Sequence, residues 1–324
     1  MFDKNTSIFF SKENLREPTT SDHPSGHTQQ EVPDRLRLLW PVGKTIPYGV
    51  RILLGNGDQQ TEIKYEAEIT GIQQIDENNL FKIDRKQVYI NETKPDLIVD
   101  QLAYEVGTVF YPLVVALDAE GAFVGIANQM TVRERWPKHK LAIRDYFEGE
   151  LVDNYLNLFE DKLNDDSAIN MAFLQDWFIA SFFATIYKDY GHSYRLNSYF
   201  RFPNITSFAV DGYAVEQHLE GKYNHFGAIT LSHQGIAHEE DHLSGESKAV
   251  GNYSACYTLH PRFRHMISLE AHYTYKDTQD TKIYIHLIPP EGQDIDYDFI
   301  DKGQSEPLIE KPTGRRFLQK LFDR

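Results

Sequence analysis

Two rhythms of apolar and polar positions run along the chain. In TEIKYEAEITGI, Ile63, Tyr65, Ala67 and Ile69 fall on every second position, with Lys64, Glu66 and Glu68 between them. That period of two predicts a strand with one buried and one solvated face. PYGVRILLG, ending at the turn signal Gly55-Asn56-Gly57-Asp58, and LFKIDRKQVYI read as strands on either side of it. Residues 96–106 predict a short helix. PLVVALD and AFVGIAN flank Ala119-Glu120-Gly121, a hairpin signal.

The rhythm then changes. Pro137 suits the first turn of a helix running on to Phe147. Leu151, Val152, Tyr155, Leu158, Phe159 and Leu163 form a stripe at helical spacing. Residues 167–190 predict a third helix, capped by Asp165, Asp166 or Ser167 and ended by Gly191. Its interior, MAFLQDWFIASFFATIY, is apolar on nearly every face. It is long enough to cross a bilayer, but Asp176 in its middle costs about 2.5–3.5 kcal/mol there. A buried core helix is the better expectation, and no membrane insertion is predicted. Strand patterns return in ITSFAVDGYAVEQ, HFGAITLS, GNYSACYTL, HMISLEAHYTYK and TKIYIHLI. The last two flank Asp277-Thr278-Gln279-Asp280, and such short connections favour antiparallel pairing.

The fold class expected is α+β: an antiparallel, curved sheet, clam-like or a half-barrel, packed on a central apolar helix. A helical block separates two sets of strands. Residues 1–34, polar and punctuated by prolines, read as a flexible arm. Residues 35–289 form the core domain, with strands over 45–130, helices over 137–190 and strands over 203–289. Residues 290–324 read as an acidic linker and a short amphipathic C-terminal helix.

Composition narrows the function classes. Of 324 residues, 41% are hydrophobic and 13% aromatic, which excludes disorder as the main state. Nineteen Tyr and twenty Phe lean toward sheet. A formal charge of −15 repels a phosphate backbone, so nucleic acid is not an expected partner. The first residues lack an apolar run of signal-peptide length, and the cytoplasm is the expected compartment. Cys256 is the only cysteine, which excludes an intramolecular disulfide and a cysteine-based zinc cage. Within a Tyr-rich strand it is expected to be buried.

The sharpest chemical motif is His238-Glu239-Glu240-Asp241-His242. It matches H-E-x-x-H and resembles the zincin metallopeptidase signature. On a helix, His238 and His242 would share a face and bind zinc, with Glu239 as general base. Glu246, His260 or His218 would supply a third ligand. Close glycines and a strand–loop–strand pattern around the motif oppose a helix. The phosphate-binding loop suggested by Gly43-Lys44-Thr45 lacks its earlier glycine, since Leu38 holds that position. No G-x-S-x-G elbow occurs.

Three further features stand out. Asp176 is a candidate pocket acid, because a buried carboxylate must be paired, protonated or solvated. Arg133, Arg135, Lys138, Lys140 and Arg144 form a basic cluster, for which pairing with the acidic run from Glu148 to Asp166, or a plainly solvated face, is expected. Near the C-terminus, Phe317, Leu318, Leu321 and Phe322 share a helical face beside Arg315 and Arg316, which suits helix-in-groove docking. The leading reading is a non-enzymatic protein-interaction or assembly component that uses this docking helix, with a protein partner and no cofactor. The alternative is a carrier of a hydrophobic small molecule in a sheet–helix cavity. The second alternative is a zinc-dependent hydrolase, with zinc as its cofactor.

Overall fold

Among the described residues, eleven strands form one open, curved antiparallel sheet in which the first and last strands lie side by side at the centre. The structure is a computed structural model, and it describes residues 31–55, 60–75, 78–203, 210–240, 247–276 and 279–289. One half of the sheet comprises β1 (Thr45–Leu54), β2 (Thr61–Ile75), β3 (Asn78–Ile90), β4 (Leu113–Leu117) and β5 (Phe123–Ile126). The other comprises β6 (Arg195–Pro203), β7 (Val210–Leu219), β8 (Ile229–Glu240), β9 (Ser247–Leu259), β10 (Met266–Tyr275) and β11 (Gln279–Leu287). Each half is a meander, and β1 joins them by pairing with both β2 and β11. The two edges are β5 and β6.

Helix α1 (Ile98–Thr108) links β3 to β4. Helices α2 (Gln129–Arg144), α3 (Glu150–Leu163), α4 (Asp166–Leu174) and α5 (Trp177–Phe182) carry the chain from one sheet edge to the other. At the ends of that crossing, α4 touches β5 and α5 touches β6.

The period-two reading of β2 holds. Tyr65, Ala67 and Ile69 are buried and lie opposite Val50, Tyr48 and Ile46 of β1. On the outer face Glu68 pairs with Lys86, and Glu62 with Arg51 and Lys64. Residues 96–106 lie largely within α1, and Gly121 turns the β4–β5 hairpin at φ 87°, where glycine has no Cβ to strain. A Cβ there would also meet Tyr187 Cδ2 at 2.5 Å.

Residues 167–190 are not one helix. The segment breaks at Gln175 and Asp176 into α4 and α5, and helix ends at Phe182. Asp176 leaves the helical conformation to become the N-cap of α5, its Oδ1 accepting from Ile179 N at 3.0 Å. A short carboxylate bonds the backbone more favourably at a cap than inside a helix. Beyond Phe182, β-branched and aromatic residues favour other pairings: Leu36 N donates to Lys188 O and Tyr187 N to Glu120 O. Among the described residues no helix is long and apolar enough to cross a membrane.

Other differences have local causes. Pro137 lies inside α2, not in its first turn, because the helix starts earlier, after Asn128; the proline is exposed there. The strand β6 was not expected. Its inward Phe200 and Phe202 are masked by outward Arg195, Asn197 and Arg201 and closed by Pro203, the composition of a guarded edge. Cys256 is exposed, since Tyr253, Ala255 and Tyr257 take the inward positions of β9. The stripe read on α3 splits: Val152, Leu156 and Leu163 are buried, while Leu151 and Leu158 are exposed, at 86% and 63%. The basic cluster pairs with its acidic neighbours as expected, through Arg133–Asp166, Lys140–Glu160 and Arg144–Asp153. Residues 31–34, read as the end of the arm, are attached: Val32 is buried and its N donates to Gly221 O.

Candidate functional site

The space beneath the centre of the sheet is filled. In α5, Phe182 packs edge-on against Tyr48 at 5.0 Å and Phe178 edge-on against Tyr65 at 6.1 Å, while Trp177 lies tilted against Tyr273 at 5.0 Å. Polar tips in this interior bond to one another. Ser181 Oγ lies 3.0 Å from Tyr273 Oη, and Tyr257 Oη donates to Ser181 O at 3.3 Å. Tyr253 Oη lies 3.3 Å from Tyr257 Oη and 3.0 Å from His233 Nδ1. Burial pushes the His233 pKa down to about 3, so the ring is neutral. A ligand beneath the centre would have to displace this packed cluster.

Open space lies instead where β3 outruns its neighbour. Pairing with β4 ends at Ile83, and α1 with the following Phe110-Tyr111 segment takes the place of a strand. Phe81, Ile83 and Arg85 share one face of β3, so the face that buries Phe81 and Ile83 next presents a guanidinium. A pocket of about 290 Å³ lies beside Arg85 and Asp176. Its apolar walls are Phe110, Phe159, Phe173, Leu163 and Ile169. Phe110 crosses Phe173 at 5.1 Å and Phe159 at 5.7 Å, both edge-on, which fixes the aromatic wall.

Arg85 is held by rings. Its Cζ lies 4.7 Å from the Tyr111 ring centre and 5.7 Å from that of Tyr65. Such contacts stabilise a cation without using its N–H groups. Among the described residues Arg85 makes no hydrogen bond and no ion pair within 4 Å. Burial opposes its charge, but Tyr111, Tyr65 and Asp176 outweigh that, and its pKa lies above the ordinary value. Gly107 leaves room on the α1 side, where a Cβ would stand 3.4 Å from the guanidinium.

Asp176 is half-buried and borders the pocket. Burial raises its carboxyl pKa, against the lowering effects of the Ile179 N–H, Arg85 and the Phe178 N–H. Burial also drives the Tyr111 phenol up to about 12, with Arg85 pulling the other way, so this hydroxyl stays protonated. The site thus combines an apolar cleft, a cation with free donors and a carboxyl engaged by a helix cap.

Two larger hollows lie elsewhere. One of about 1000 Å³, between the end of β3 and helices α1 and α2, mixes Val88, Tyr104, Ile143 and Phe147 with Gln87, Lys94 and Glu105. Its His139 is already tied to Glu105 O at 2.7 Å and Thr108 Oγ1 at 3.0 Å. The other, about 780 Å³, is a polar groove on the outer face of β6–β10 that includes His238.

His238 and Glu239 lie in β8, so the first half of the zincin-like motif is extended, not helical. Glu239 pairs with Lys276 at 3.1 Å. His260 is buried, its Nδ1 accepting from Arg262 N and Phe263 N, and His218 lies beside Glu220. Among the described residues no three His, Cys, Asp or Glu side chains gather as metal ligands. His242 and Glu246 lie outside the described residues, as do Arg315, Arg316, Phe317, Leu318, Leu321 and Phe322. Sequence reasoning found Asp176 but missed Arg85, although a charge following Phe81 and Ile83 at period two was the available signal.

No family model matches the chain. No curated protein matches it either. Among solved structures, one described as lipid–protein interactions in lipovitellin is similar, at 10% identity and a TM-score of 0.31. The likeness covers 79% of this chain and 26% of that one, so this chain spans about a quarter of that chain's length. The pocket's geometry, and not so distant a likeness, bears on function.

Proposed function

We propose that this protein binds a small hydrophobic molecule in the pocket between β3 and helices α1, α3 and α4. The observation that carries the reading is an aromatic cleft of about 290 Å³ that the packed core leaves open. Ligand sites are typically apolar clefts of about 300–1,000 Å³ with a few convergent polar groups, and this one stands at the small end. The neutral apolar fluorophore N-phenyl-1-naphthylamine should brighten saturably with the wild type. Ala168→Trp, placed on the pocket wall, should abolish that response while leaving the urea midpoint unchanged. Equal brightening of both proteins would reject the site.

A second observation favours an interaction role. Leu151, Tyr155 and Leu158 form an exposed apolar stripe on α3, flanked by Glu150 and Asp161 and ending at Lys162. Its complement in apolar spacing and charge is segment 313–324, with Phe317, Leu318, Leu321, Phe322 and four basic residues. Residues 290–312 span up to about 75 Å when extended, against about 50 Å for the diameter of a domain this size. We infer that this segment docks on the α3 stripe of its own chain. Deleting residues 313–324 should speed hydrogen exchange in α3 and leave β8–β10 unchanged. Unaltered exchange in α3 would count against docking.

A further inference from the structure

We propose that the ligand of this pocket is a monocarboxylate with a short apolar body, its headgroup bound by Arg85. The inference rests on the pocket being a ligand site and adds the chemistry of its occupant. Arg85 is a cation set on the apolar face of β3, and two tyrosine rings hold it in place. Both rings present their faces to the guanidinium, a contact that uses none of its N–H donors. Among the described residues none of those donors has a partner. A half-buried guanidinium whose donors meet no protein acceptor, beside an apolar cleft, is suited to a planar, two-oxygen acceptor.

The other charges around the pocket set the ligand's charge. Asp176 does not neutralise Arg85 by contact, since no ion pair forms between them within 4 Å. One of its oxygens is committed to the Ile179 N–H at the start of α5. Lys162, exposed on α3, borders the same pocket and adds a second cation at its rim. Two cations against one carboxyl leave room for a single negative charge. A dianionic phosphate ester would bring its second charge up against Asp176, so a carboxylate fits better. The rest of the ligand is apolar, because Phe110, Phe159, Phe173 and Ile169 offer it no hydrogen bond. The small volume favours a chain of medium length over a full-length lipid tail.

The test compares octanoate with 1-octanol at pH 7.5, each displacing N-phenyl-1-naphthylamine from the full chain. The two probes share a tail and differ in the charged head. A charge-assisted hydrogen bond predicts that octanoate binds about tenfold or more tighter than octanol. Arg85→Gln should erase that preference while octanol binding persists. Should Arg85→Gln fail to fold, Asp176→Asn supplies an independent readout. Asparagine caps a helix as well as aspartate does, and removal of the competing charge should tighten octanoate severalfold without changing octanol. Equal affinities for the two probes in the wild type, or a preference that survives Arg85→Gln, would overturn the headgroup assignment and leave the hydrophobic site standing. Failure of the fluorophore and both probes to bind would instead remove the site itself.

Discussion

The two halves of the sheet differ in what surrounds their polar groups. Beneath β8, β9 and β10, tyrosine hydroxyls meet one another, Ser181 and His233, and the rings fill the space around them. Beside β3, Arg85 has rings around it but no acceptor, and the space next to it is open. Both regions are rich in aromatics, so composition does not distinguish them. The tyrosine hydroxyls of the first region find partners within the protein, although His233 Nε2, His265 Nδ1 and Thr281 Oγ1 do not, whereas the half-buried Arg85 guanidinium is met only by rings. A hydrogen-bonded buried network holds a fold together, whereas a half-buried cation at a pocket keeps its donors for solvent or a ligand. On the function proposed above, the tyrosine network serves stability and the pocket beside β3 serves recognition.

The strongest way to break this comparison is to remove a ring from the filled half. Tyr273 is fully buried, stacked on Tyr253 at 4.8 Å and bonded to Ser181. Tyr273→Ala should cost about 3–5 kcal/mol, as large-to-small aromatic changes in cores do. Urea unfolding measures this, and a loss below about 1 kcal/mol would mean that the network is not structural.

Acid should act on the same side of the molecule. Burial holds His233 and His265 at pKa values of about 3, against about 6.5 in an unfolded chain. Between those values the unfolded state binds more protons, so this stability is present above about pH 6.5 and declines as pH falls toward 3. Each ring contributes a slope of about 1.4 kcal/mol per pH unit, or about 2 kcal/mol lost by pH 5. His233→Gln should flatten the profile measured from pH 7.5 to 5 by about half of the combined loss. An unchanged slope would show that His233 is not buried as a neutral ring.

The smallest effect belongs to the open half. Asp176→Ala removes the α5 cap and should cost about 1 kcal/mol, while Asp176→Asn should cost much less. Equal losses in thermal unfolding would mean that the charge of Asp176, and not its capping oxygen, supports the fold.

The sheet was largely legible in the sequence because period-two burial is a local pattern. Ile63, Tyr65, Ala67 and Ile69 announced β2, and the short turns announced antiparallel order. Residues 167–190 misled because hydrophobicity reports burial but not continuity. Asp176 marked the break, yet a carboxylate within an apolar run signals a cap only once its partner N–H is known. The pocket was half legible. Asp176 stood out as a charge in an apolar segment, but Arg85 reaches the site by tertiary packing of α1, α3 and α4 against β3. On α3 the apolar residues announced a helix without revealing that Leu151 and Leu158 face outward.

The most direct test of the central contrast is a methyl-labelled NMR titration of the full chain with 1-octanol. Ala168, Ile169 and Ala172 line the pocket, whereas Ile283 and Ile285 sit beneath the filled centre of the sheet. The methyls of the first three should shift together and saturate, while those of Ile283 and Ile285 stay in place. Shifts that fail to saturate, or that centre on Ile283 and Ile285, would contradict the assignment of recognition to the β3 pocket.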